Sequence, residues 1–333
     1  MRREFADRER LAGVVRAGLG PVRRIDAVDR LRGGTKKGVY RLTLDDRSTV
    51  VVYVWSAEEN FWPAGRETDG DPLDDPFSDA SGSELFEAAS DTLSAIGVRT
   101  PTVLFLDRSR NLYPADVALV EDVRGANLER RLAADPAAMA GTVARLGEAL
   151  TAMRQHRTSR IGKVAAVARA VDSAPEHRSS VRLVLDGALA DLAEAAGRDE
   201  RIARDRVRLT ELLHQLADVI APRTTYGLIH GELGPDHVLV DGDGAPVLID
   251  IEGLMFFDVE WEHVFLWMRF GEHYRLLRPA DELDERRLRF YRLARHLSLV
   301  AGPLRLLDGD FSDRAFMLQI AAHHTECALS FTP

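Results

Sequence analysis

The chain has 333 residues, of which 45% are hydrophobic and 29% charged, enough apolar material to bury the core of one large domain or two modest ones. Its formal charge of -9 excludes a binder that draws its affinity from neutralising nucleic-acid phosphates. The single cysteine, Cys327, excludes an internal disulfide, and no Cys/His set has the spacing of a zinc site. The charged start, MRREFADRER, has no apolar signal-peptide core, and no run of eighteen apolar residues exists to span a membrane, so a cytoplasmic protein without membrane contacts is expected.

In chain order, Phe5, Leu11, Val14, Val15 and Leu19 recur at helical spacing and stop at Gly20-Pro21. Three β-type runs follow, Ile25 to Leu31, Val39 to Leu44 and Thr49 to Trp55. The second alternates and turns through Asp45-Asp46-Arg47-Ser48, as a hairpin does. The Pro- and Gly-rich acidic stretch from Glu58 to Gly82 reads as a long loop. A helix is predicted from Ser83 to Ile96, and a further strand from Ala118 to Val123. Beyond it helical stripes dominate: Val143/Leu146/Leu150/Met153, Leu185/Leu189/Leu192 and Leu209/Leu212/Leu213/Leu216. One β interruption breaks this half, two short runs (His237 to Val240, Val247 to Ile251) joined by an Asp-Gly-Asp-Gly turn.

The chemistry concentrates between Tyr226 and Leu266. A helix is expected to end there, followed by the polar loop His230-Gly-Glu232-Leu-Gly-Pro-Asp-His237 and the hairpin. The second hairpin strand ends in Asp250-Ile251-Glu252, and strand alternation sends both carboxylates to one face. Two adjacent carboxylates repel unless a cation screens them, and Mg²⁺ carrying nucleotide phosphates is such a cation. Only three of the 44 basic residues are lysine, and two of those, Lys36 and Lys37, adjoin in the turn Gly33-Gly34-Thr35-Lys36-Lys37-Gly38. Backbone N–H groups of such a turn cradle phosphate.

With these residues the sequence resembles the aminoglycoside phosphotransferase and choline kinase family, whose pattern runs HGD-L-x-x-x-N-x-L-[VI]-D, a hairpin, then [IV]-D-[WF]-E. The resemblance implies an α+β, bilobal protein-kinase-like fold. Residues 1–123 would form a small N-lobe of antiparallel sheet and helix gripping the nucleotide. Residues 124–333 would form a larger, mostly helical C-lobe with the catalytic hairpin. ATP or GTP with Mg²⁺ would bind between the lobes, and the γ-phosphoryl group would pass to a hydroxyl of an antibiotic-like, sugar or amino-alcohol acceptor. By family position Glu232 orients the acceptor hydroxyl; His237, Asp250 and Glu252 hold metal; Val120, Glu121 and Asp122 receive the base; and Gly33 to Gly38 hold phosphates. His230 and Glu262 would brace the loop, with Asp258 capping the helix after it.

Three positions depart from the family pattern. Glu232 replaces its aspartate and His237 its asparagine, and the strand Thr49 to Trp55 lacks its basic residue. The phosphate-facing cation would then come from Lys36 or Lys37, an arrangement similar to the with-no-lysine protein kinases. The same departures motivate an alternative, a pseudokinase that binds nucleotide or a small ligand without phosphoryl transfer.

Overall fold

The computed structural model describes residues 3–31, 34–63, 75–170, 179–279 and 283–332. The chain divides into two compact units, residues 1–62, 77–146 and 235–253 in one, residues 63–76, 147–234 and 254–333 in the other. Elements are numbered along the chain.

The first unit begins with α1 (Arg8–Leu19), whose first turn is capped by the Asp7 carboxylate accepting from the Arg10 amide. Its sheet is antiparallel, in the order β1-β2-β3-β5-β4, with β1 Ile25–Arg30, β2 Gly38–Leu44, β3 Thr49–Trp55, β4 Val103–Asp107 and β5 Asp116–Glu121. In β2 the alternation is realised residue by residue, Tyr40, Leu42 and Leu44 lying inside. Leu11, Val14 and Val15 of α1 cover that face. The central strand β3 is buried on both faces, which explains its unbroken Val50-Val-Val-Tyr-Val54 run. α2 (Ser83–Ala95) and α3 (Leu128–Ala134) complete this part, and α4 (Ala140–Gln155) contributes to both units.

The second unit holds a small sheet ordered β6-β8-β11-β7: β6 Arg157–Thr158, β7 Gly162–Lys163, β8 Tyr226–Ile229, β11 Met255–Phe257. Its core is helical, built from α6 (Ser180–Ala196), α7 (Glu200–Asp218), α8 (Val259–Phe270), α9 (Glu285–Leu306) and α10 (Arg314–Leu329), with α5 (Val164–Arg169) beside β7. The predicted stripes supply it: Leu185, Leu192, Leu209, Leu212 and Leu213 are all buried. The hairpin β9 (Val238–Val240) and β10 (Pro246–Leu248) belongs to the first unit.

Several local expectations are corrected. Tyr226–Ile229 is a strand, not a helix end, because both of its edges are paired, by β6 and by β11. Phe256 and Phe257 lie in β11. The second hairpin strand stops at Leu248; Asp250 has φ 59 and residues 251–253 form a 3₁₀ turn. Strand alternation therefore does not orient Asp250 and Glu252. Among the described residues no helix is long and apolar enough to cross a membrane.

Candidate functional site

The lysine turn is held at Thr35 by two neighbouring residues. The Phe61 amide donates to the Thr35 carbonyl (2.8 Å), and the Trp62 indole donates to Thr35 Oγ1 (3.0 Å). A Cβ on Gly34 would lie 2.6 Å from the Lys37 carbonyl oxygen, so the turn closes only around glycine. Gly33 lies outside the described residues. The two lysines then part company. Lys36 pairs with Asp79 (2.8 Å) and sits over the Trp62 ring. Lys37 is only 7% exposed, and its ammonium donates to Asp250 Oδ1 (2.7 Å) and to both Glu252 oxygens (2.7 and 2.8 Å).

Lys37 immediately precedes β2, and β2 pairs with β3 so that Val39 faces Tyr53. The ammonium consequently sits 5.3 Å from the Tyr53 ring centroid. The strand that lacks a basic side chain thus receives one from its neighbour. Burial opposes the charge on Lys37, but Asp250 and Glu252 outweigh it and hold the ammonium well above the ordinary lysine range. Burial also pushes the Tyr53 phenol up to about 12. Around this point Tyr53, Trp55 and Phe86 of α2 form an aromatic cluster with centroid separations of 5.4 to 6.0 Å. Glu87 of α2 pairs with Arg108 (2.9 Å).

Asp250 and Glu252 reach one ammonium from a turn. The left-handed backbone at Asp250 is an uncommon state for a non-glycine residue, the kind retained where the surroundings enforce it. The hairpin that delivers it is fastened: Leu248 N–H donates to the Arg99 carbonyl, and Asn127 Nδ2 to the Asp236 carbonyl. In the Asp-Gly-Asp-Gly turn, the Asp241 carboxylate accepts from the Asp243 and Ala245 amides. His237 Nε2 lies 3.7 Å from Asp250 Oδ2 and 3.8 Å from Asp236. Among the described residues no three His, Cys, Asp or Glu side chains gather into a metal cage. Mg²⁺ typically takes one or two carboxylates plus substrate phosphates, and Asp250, its side chain 53% exposed, suits that use.

At the end of β5, Val120 is fully buried. Glu121 is engaged by Arg99 and Thr102, and Asp122 by a two-pronged contact with Arg41 (2.9 Å each). Both carboxyl groups are held below their usual range, Glu121 chiefly by the Arg99 hydrogen bond. For Asp122 burial raises the value, but Arg41 and Thr49 overcome it.

In the second unit, the loop after β8 is braced by Glu262 of α8, which accepts from the Gly231 amide (2.7 Å) and the Leu233 amide (3.3 Å). His230 is buried and Glu232 projects outward, its side chain 70% exposed. Arg295 of α9 donates to the Gly231 carbonyl (2.6 Å) and lies over the rings of Trp261 and Phe265. Asp258 occupies the N-cap of α8 without capping it. Its fully buried carboxylate is drawn instead to Arg223, Arg287, Ser180 and Tyr291.

Sequence reasoning missed Trp55, Glu59 and Arg295. Trp55 donates to Glu252 (3.2 Å), and Glu59, 1% exposed, binds Arg30 and Tyr40 directly beneath Gly38. Glu59 lay in what read as an acidic loop. Arg295 sits in an arginine-rich helix where no motif sets it apart.

No curated protein matches the sequence. Solved structures share the fold at low identity. The spectinomycin phosphotransferase APH(9)-Ia, bound to ADP and spectinomycin, aligns with TM-score 0.64 and 12% identity over 98% of this chain and 99% of its own. A thermostable mutant of APH(4)-Ia with ADP and hygromycin B gives 0.60 and 16% over 96% and 98%. An APH(2") enzyme with GDP and kanamycin gives 0.63 and 18% over 96% and 99%. The profile of the phosphotransferase enzyme family, APH, matches residues 28–306, and the chain belongs to that family.

Proposed function

We propose that the protein is a small-molecule kinase that transfers the γ-phosphoryl group of ATP or GTP to a hydroxyl of an antibiotic-like, sugar or amino-alcohol acceptor. One observation carries the reading: Lys37, from the glycine-flanked turn, meets Asp250 and Glu252 at 2.7 Å although more than two hundred residues separate them. Phosphoryl transfer asks a protein chiefly to position groups and to balance charge, and this juxtaposition supplies a cation and a metal-binding carboxylate at one point.

In this reading Lys37, with the backbone of Gly33 to Gly38, holds the phosphates, while Lys36 anchors the turn through Asp79. Asp250, with His237 beside it, holds the Mg²⁺, which would neutralise phosphate charge. The base lies against Val120 to Asp122, and Glu232 orients the acceptor hydroxyl. The nucleotide complexes of the APH structures support the nucleotide assignment by analogy of fold. In the same reading residues 1–123 grip the nucleotide phosphates and residues 124–333 carry the catalytic loop, the metal site and the acceptor site. A cytoplasmic resistance enzyme is the biological setting this suggests.

The pseudokinase reading draws on Glu232, whose carboxylate faces Arg295, and on His237 in place of asparagine. One experiment addresses both: nucleotide binding and consumption with Mg²⁺ across a panel of hydroxylated amines and sugars. Wild type, Lys36→Met, Lys37→Met, Asp250→Asn and Glu232→Gln would be compared. The kinase reading expects turnover with one acceptor class, lost in Lys37→Met and Asp250→Asn and kept in Lys36→Met. Binding without turnover on every acceptor favours the pseudokinase. Unchanged nucleotide affinity in Lys37→Met defeats both.

A further inference from the structure

We propose that Glu252 is the positioning partner of Lys37 and not a ligand of the metal, so that one carboxylate of the Asp-Ile-Glu triplet serves the phosphate grip and the other the ion. The inference rests on the kinase reading and assigns a separate role within it.

Three observations separate the two acids. First, Glu252 is fully committed: both oxygens lie within 2.8 Å of the Lys37 ammonium, and Oε1 also accepts from the Trp55 indole at 3.2 Å. Asp250 offers Lys37 one oxygen, Oδ1, while Oδ2 turns toward His237. Second, the exposures are opposite. The Glu252 side chain is 4% exposed and that of Asp250 53%. Asp250 would be open to a hydrated ion carrying phosphates, whereas Glu252 lies against the aromatic cluster of Tyr53, Trp55 and Phe86 through its Trp55 contact. Third, among the described residues the Lys37 ammonium meets no carboxylate besides these two. Helix α2 packs Phe86 on Trp55 and Tyr53, and its Glu87 is turned to Arg108.

A buried ammonium needs a fixed counter-charge to stay ionised and to keep one orientation, because the flexible four-carbon stem otherwise samples many rotamers. Glu252 meets that need with or without nucleotide. Asp250 would then be the carboxylate of the triplet that holds the ion, with Lys37 keeping Glu252 as its counter-charge.

The test separates phosphate grip from metal binding by calorimetry with ATP and adenosine (and GTP with guanosine). Titrations are run in EDTA and across a Mg²⁺ series. The preference for triphosphate over nucleoside in EDTA reports the lysine, and a merely structural role for Glu252 would not move it. Glu252→Gln is expected to lower that preference about tenfold, the weight of one charge-assisted hydrogen bond, and to leave the Mg²⁺ concentration dependence unchanged. Asp250→Asn is expected to shift the Mg²⁺ dependence about tenfold while keeping the preference in EDTA. In a Lys37→Met background Glu252→Gln should have no further effect on the preference. Trp55→Phe, which deletes only the indole hydrogen bond, should shift it in the same direction and carries the test if Glu252→Gln fails to accumulate. A Glu252→Gln protein with unchanged preference and an Asp250-like loss of Mg²⁺ dependence overturns the inference alone. Wild type without triphosphate preference under any condition overturns the kinase reading as well.

Discussion

The guanidinium of Arg295 lies under the loop that follows β8, its Nη1 3.8 Å from the Glu232 carboxylate. The two residues share a contact but not an environment: Arg295 is 6% exposed, and Glu232 faces solvent. Burial lowers the Arg295 pKa, against the pull of Glu232 and Glu262, so the site holds a partly desolvated cation. An exposed ion pair is worth little, whereas a buried hydrogen bond to the Gly231 carbonyl and stacking on Trp261 are worth more. Arg295→Lys should therefore cost roughly 1–3 kcal/mol, because an ammonium is more strongly hydrated and lacks the planar fork. Glu232→Gln should stay within about 0.5 kcal/mol of wild type. Urea unfolding of both variants checks the contrast, and equal losses would contradict it.

How much of this was legible in the sequence depends on the range of the interaction. Thr49–Trp55 was readable to the residue, because a strand buried on both faces writes itself as an apolar run. Leu209, Leu212 and Leu213 were readable because a one-sided helix repeats its pattern. Tyr226–Ile229 was misread, since a four-residue apolar run has no period long enough to separate strand from helix. The meeting of the lysine turn with Asp250 was expected from motif resemblance, but the choice between Lys36 and Lys37 was not. That choice follows from Asp79 and Trp62 drawing one lysine away, contacts made by a segment without sequence pattern. Glu252 appeared to be a twin of Asp250 under strand alternation, and the left-handed backbone at Asp250 is what breaks the symmetry.

The acid network under α8 gives a second prediction. Asp258 is fully buried and accepts from Arg223, Arg287, Ser180 and Tyr291, while Arg287 is 2% exposed. Removing one member of a buried pair leaves the other uncompensated, at a cost of about 3–5 kcal/mol. Asp258→Asn should lose that much in denaturant unfolding. Arg223→Met should also destabilise: Asp258 keeps Arg287, but the buried Glu260 of α8 loses its two-pronged contact with Arg223 (2.7 and 2.9 Å). A neutral Asp258→Asn would remove the network from the account of stability.

Acid should destabilise the helical unit before most carboxylates titrate. His263, His296 and His324 are held at about 4, 3 and 4, in each case chiefly by burial, with His324 adding to the effect at His296. His296 and His324 meet Nδ1 to Nδ1 at 2.8 Å, a contact that needs at least one neutral ring. All three values lie below the 6.5 of an unfolded histidine, so the unfolded chain binds protons first. Their contribution is complete above pH 6.5 and is lost as the pH falls toward 4. Each histidine adds a slope of at most about 1.4 kcal/mol per pH unit, and partial exposure of the pair reduces the total between pH 7 and pH 5 to roughly 2–4 kcal/mol. Chemical unfolding at the two pH values measures it, and a His296→Gln/His324→Gln protein should show a flatter dependence. Equal stability at pH 7 and pH 5 would refute the assignment.

Glycine substitutions supply the sharpest contrast around the lysine turn. A Cβ on Gly38 would come within 2.5 Å of the Glu59 carboxyl carbon and 2.7 Å of the Tyr40 ring. Glu59 cannot yield cheaply, since it is buried and tied to Arg30 and Tyr40. Gly38→Ala should then cost about 1–3 kcal/mol, the usual range for overpacking. Gly34→Ala presses on the Lys37 carbonyl at 2.6 Å, so it should displace Lys37 and weaken nucleotide binding. Gly187, inside α6, meets nothing within 4 Å, and there alanine should stabilise the protein by up to about 1 kcal/mol through helix propensity. Thermal and urea unfolding of the three variants, with calorimetric titration of ATP into Gly34→Ala, reads the series. The order Gly187→Ala above wild type above Gly38→Ala is expected. A Gly38→Ala protein as stable as wild type would show that Glu59 does not hold the base of the turn, and with it would fall the tight seating of Lys37.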